Sequence, residues 1–112
     1  METFSPVTVV AKVRTELARG GRLEVTCEES ATKDGSLIRG RWTFCLIVED
    51  EAAEALRSQV VVWRSLEPKV IKTVHGLANF AKDLGITVPE LPLEAGKKGV
   101  WRVDAGISND VS

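Results

Sequence analysis

The sequence predicts an α+β domain: a small antiparallel sheet of about four strands in two hairpins, packed by two or three helices, with an extended C-terminal tail. Three observations predict it. Residues 22–29 alternate apolar and polar side chains, and residues 36–48 alternate around an inner face carrying Trp42 and Phe44. Leu77, Phe80, Ala81 and Leu84 recur at helical spacing.

Length and composition set the frame. A chain of 112 residues with 44% hydrophobic content can hide roughly two thirds of its surface in one core, without disulfide or metal staples. The expected domain spans residues 5–86, and residues 87–112 form an extended or flexible tail with a short β-like patch at 100–103. Basic and acidic residues nearly balance, 15 against 16, which weighs against a protein built chiefly to coat nucleic acid. No run reaches the roughly 18 apolar residues of a membrane span. The N-terminal residues carry an acid where a signal peptide carries positive charge, so the expected compartment is the cytoplasm and no membrane partner is expected. Cys27 and Cys45 fall well apart on the expected hairpin and read as reduced thiols in or beside the core.

Each element has its own local signal. Ser5-Pro6 followed by Val9, Val13 and Leu17 predicts a capped helix that Gly20-Gly21 stops, with a strand over the valine-rich residues 7–10 as the alternative. Leu23, Val25 and Cys27 share one face of the first strand, and Ser30 to Gly35 reads as a turn-rich loop. In the second strand Ile38, Gly40, Trp42, Phe44, Leu46 and Val48 face one way, and Arg39, Arg41 and Thr43 the other. Residues 49–57 run from acidic to basic around several alanines, which suits a short helix and its dipole. Val60-Val61-Val62-Trp63 then predicts a strand that turns at Ser65-Leu66-Glu67-Pro68 into a second one over residues 69–72. A single helix over residues 50–66 is the rival. Thr73 caps a helix over 74–84, and Gly85 ends it with Ile86 folding back. Pro89 and Pro92 keep the following residues extended.

Catalytic chemistry finds little support. His75 is the sole histidine, and a base needs a nucleophile and an orienting group beside it. Pairing His75 with Cys27 or Cys45 is the distant enzymatic alternative, but both cysteines lie within strands. The carboxylates sit in solvated runs, and one histidine with two separated cysteines does not make a zinc site. No glycine-rich phosphate loop is present, so no cofactor or metal is expected.

Two surfaces stand out. If both hairpins join one sheet, Arg39, Arg41, Arg64, Lys69 and Lys72 could line one exposed basic face able to meet nucleic acid. The strand-turn-strand-helix order of residues 60–84 resembles small sheet-based DNA readers such as the integrase arm-binding domains, and the resemblance implies the same use of the face. The second surface is the tail, where Trp101, flanked by Val100 and Val103, either packs on its own sheet or adds a strand to a partner or a second copy. The favoured expectation is a non-enzymatic accessory or regulatory protein acting through protein–protein contact. In type it resembles small plasmid- or phage-encoded partition, transfer or inhibitor proteins. A homodimer is one expected form, and nucleic-acid binding by the basic face is the alternative.

Overall fold

A computed structural model of the chain describes residues 7–49 and 55–103. The elements in order are β1 (Val7–Val9), α1 (Val10–Ala18), β2 (Arg22–Asp34), β3 (Leu37–Glu49), β4 (Ala55–Val61), β5 (Ile71–Thr73), α2 (Val74–Asp83) and β6 (Lys98–Trp101). The strands form one six-stranded mixed sheet in the order β1-β4-β3-β2-β6, with β5 also paired to β3. This corrects the expected fold class. A large mixed sheet with two helices on one face replaces a four-stranded antiparallel sheet in two hairpins packed by two or three helices.

Each departure has a local cause. The β-branched run Val7-Thr8-Val9 takes strand geometry and pairs in parallel with Gln59, Val60 and Val61, so α1 begins only at Val10. The proposed Ser5 cap and Pro6 start lie outside the described residues. Ser30 to Asp34, expected as loop, continue β2, because two register shifts absorb the irregularity and let Thr32 and Lys33 pair with Arg39 and Ile38. With those shifts in place, Cys27 lies opposite Trp42. The helix expected over residues 49–57 falls partly outside the described residues, and where it is described, Ala55 to Arg57 are strand paired with β3.

The second hairpin becomes something else. Both β4 and β5 run antiparallel to β3, on residues Cys45 to Glu49 and Arg39 to Trp42 respectively. Because β2 occupies the other edge of β3 through residues 37–47, β4 and β5 follow one another along the same edge. The chain leaves the sheet after Val61, makes a tight excursion closed by the Val61–Pro68 bridge, and rejoins at Ile71. The tail segment also belongs to the sheet, since β6 pairs with β2 from Leu23 to Thr26.

One core lies between the sheet and both helices. Leu23, Val25, Cys27, Trp42, Phe44, Leu46 and Val60 supply the sheet side, with Val13 and Leu17 from α1 and Leu77, Phe80 and Ala81 from α2. Phe44 and Phe80 meet edge to face with centroids 4.9 Å apart. Both helices end in a glycine turn: Gly21 N–H donates to Glu16 and Gly20 N–H to Leu17, while Ile86 N–H donates to Ala81 and Gly85 N–H to Lys82. Thr73 caps α2 by accepting the Gly76 N–H at 3.0 Å, as the sequence predicts. No helix among the described residues is long and apolar enough to cross a membrane.

Candidate functional site

The excursion between β4 and β5 carries the most unusual surface. Turns normally use glycine, asparagine or other small polar residues, yet this one presents Val62, Trp63 and Leu66. Trp63 is 74% exposed and Leu66 is 60% exposed. The turn is held by its backbone: Leu66 N–H donates to Val62 at 2.7 Å, Val62 N–H donates to Glu67, and Ser65 Oγ accepts the Glu67 N–H. Leu66 sits at φ +60°, in the left-handed region, where a non-glycine residue carries strain of the order of 1 kcal/mol.

Beside this turn runs an apolar groove of about 360 Å³. Val9, Val10 and Ala11 form one wall, and Val61, Val62, Trp63 and Lys69 form the other. The walls come from segments some fifty residues apart, and the parallel pairing of Val9 with Val61 brings them together. The Lys69 ammonium lies 5.3 Å from the centroid of the Phe80 ring, a cation–π contact that holds it at the helix side of the sheet.

The predicted basic residues do not gather on one face. Arg39 is ion-paired with Asp34 at 2.9 Å. Arg41 stands across from Glu29 on the helix-free face of the sheet. Arg64 belongs to the apolar turn, Lys69 lines the groove, and Lys72 is exposed on β5, opposite the irregular step between Arg39 and Trp42. The helix-free face is a mixed ladder, with Arg22 paired to Glu49, Arg57 to Glu24, and Thr43 donating to Glu28. Alternating sign across neighbouring strands leaves little net positive field there.

The tail residues are placed differently from one another. Trp101 is fully buried, packs at 5.9 Å and 6.1 Å from Phe44 and Phe80, and donates its indole N–H to the Glu90 carbonyl at 2.8 Å. It is part of this domain's own core and unavailable to a partner. Val103 packs against the same core, whereas Val100 is 37% exposed on β6. The Val100 N–H donates to the Glu90 carboxylate at 2.7 Å, so this sheet edge is partly covered.

His75 is exposed in the first turn of α2, beside a shallow depression lined by residues 36–38 and Ala78 that contains no cysteine. Cys27 faces the core and Cys45 pairs with Glu24 and Gln59 on the helix-free face. Burial pushes the Cys27 thiol up, helped by the Glu28 charge, and also pushes Cys45 up despite the nearby Arg57. Neither is an activated thiolate. Among the described residues no group of three or more histidine, cysteine or acidic side chains could hold a metal.

Sequence reasoning passed over Trp63 by assigning it to a strand. The available signal was the run Trp63-Arg64-Ser65-Leu66, bulky apolar residues at the point where the chain must turn before Pro68. Comparisons with protein-family models, with curated proteins and with solved structures find no match for the chain.

Proposed function

We propose that this chain is a non-enzymatic accessory or regulatory protein of the cytoplasm that works by binding another protein through the Trp63 turn and its groove. The observation that carries the reading is the cost of the turn itself. Val62, Trp63 and Leu66 stand exposed together, and Leu66 holds a left-handed conformation that glycine or asparagine would adopt with less strain. Exposed apolar side chains clustered beside an apolar groove mark an interaction surface more often than they mark random exposure. Tryptophan is also among the residues that dominate binding energy in interfaces. The division of the five predicted basic residues between sheet, turn and groove makes protein contact the stronger reading over nucleic acid on the sheet face.

The test compares the native chain with Trp63→Glu in quantitative cross-linking and in mass measurement in solution, the second reporting self-association. Trp63 is exposed, so the variant is expected to keep its stability within about 0.5 kcal/mol. Loss of a cross-linked partner or of a dimer in the folded variant is the expected result. An unchanged partner set and unchanged mass would remove the reading.

A further inference from the structure

We infer that the groove takes a bulky aliphatic or aromatic side chain from an acidic segment of a partner protein. This rests on the protein-contact reading above and names the chemistry of the partner. The apolar part follows from the walls, where valines and Trp63 leave Lys69 as the one charged side chain. A volume of about 360 Å³ is near the lower end of the roughly 300–1,000 Å³ that binding clefts span, which suits one or two side chains rather than a large ligand.

The acidic part follows from charge. The chain as a whole is slightly negative, at −1, yet the border of this groove is positive. Arg64 adjoins Trp63, Lys69 lines the wall, and Arg14 stands one helical turn beyond Val10 and Ala11 on α1. Among the described residues none of the three forms an ion pair; Glu16 takes Lys12 and Arg19, and the sheet arginines Arg57, Arg39 and Arg22 take Glu24, Asp34 and Glu49. Glu67 is the only acid in the turn. Unpaired cations around an apolar recess attract a partner with carboxylates beside its anchor, and they act mainly on encounter and specificity. A nucleic-acid base fits less well, since its edges need hydrogen-bond partners that valine walls do not supply.

Selection of a displayed library of short random peptides on the full chain tests this. Enriched sequences are expected to carry a bulky apolar residue flanked by Asp or Glu. Measured by fluorescence polarisation, their affinity should fall about tenfold or more in Trp63→Ala, and similarly in Arg64→Glu combined with Lys69→Glu. It should also weaken as salt rises. Circular dichroism checks that each variant is folded. Basic or uncharged sequences that still depend on Trp63 would overturn the acidic chemistry and leave the protein-contact reading standing. Enriched peptides indifferent to Trp63→Ala, or no enrichment at all, would overturn the site itself. Tight binding of a single-stranded oligonucleotide in place of any peptide would do the same and assign the groove to nucleic acid.

Discussion

The indole N–H of Trp42 donates to the carbonyl oxygen of Pro92 at 2.7 Å, joining the centre of β3 to a segment 50 positions later. Trp42 is fully buried, and the bond satisfies a polar atom that would otherwise face the core. Replacing Trp42 with Phe keeps an aromatic ring but strands the Pro92 carbonyl. Urea unfolding should show a loss of about 1–3 kcal/mol with an unchanged slope, plus whatever the smaller ring leaves unfilled.

Gly40 lies beneath the same ring. A Cβ there would meet Trp42 Cη2 at 2.6 Å and the Glu29 carbonyl oxygen at 3.0 Å. Neither neighbour can yield easily, since one is fully buried and the other is backbone. Gly40→Ala should therefore destabilise by about 1–3 kcal/mol. In thermal melts that amounts to a drop of roughly 4–8 °C per kcal/mol for a domain of this size.

Elements whose partners are close in sequence were legible; those that depend on distant pairing were not. The β2–β3 hairpin and α2 announce themselves because their apolar residues repeat at a fixed period and Thr73 and Gly85 bracket the helix. The parallel pairing of β1 with β4 has no such mark: Val7 and Gln59 become neighbours only once the whole sheet is assembled. Ala55 to Arg57 carry helix-favouring residues, yet strand pairing with β3 outweighs that preference. The groove was invisible for the same reason, because its two walls are contiguous only through the Val9–Val61 register. The sequence leaves open whether Trp101 packs on its own sheet or joins a partner, and only the fold shows that β2 provides its edge.

The caps of α2 make a paired prediction. Thr73→Ala removes the acceptor of the Gly76 N–H and should cost about 0.5–2 kcal/mol, with Thr73→Ser restoring most of it. Gly85 holds φ +87°, so Gly85→Ala should cost about 1 kcal/mol through backbone strain. Hydrogen exchange separates the two, since the first should speed exchange in the first turn of α2 and the second in its last turn.

The thiols predict how stability responds to alkaline pH. Burial is the main cause that raises the Cys27 thiol above its ordinary value, with the Glu28 charge adding to it and a backbone hydrogen bond at Glu29 opposing it. Burial also raises Cys45, partly offset by Arg57. A thiol whose folded pKa exceeds its unfolded value holds its proton more tightly in the native state. Its contribution is therefore complete below the unfolded pKa of roughly 8.5 and is lost as pH climbs toward the folded value. Unfolding free energy should thus fall as pH rises above about 8.5, and Cys27→Ala should flatten that slope while lowering stability at neutral pH through its cavity. Arg57→Ala should push Cys45 higher still and slow its alkylation at a fixed pH, because the cation that favours its thiolate is gone. Iodoacetamide labelling followed by mass spectrometry reads both sites at once. Half-buried Cys45 should modify first, and fully buried Cys27 only as fast as the sheet opens. Equal labelling rates in the native protein, or stability that rises across this pH range, would contradict the burial that places Cys27 in the core.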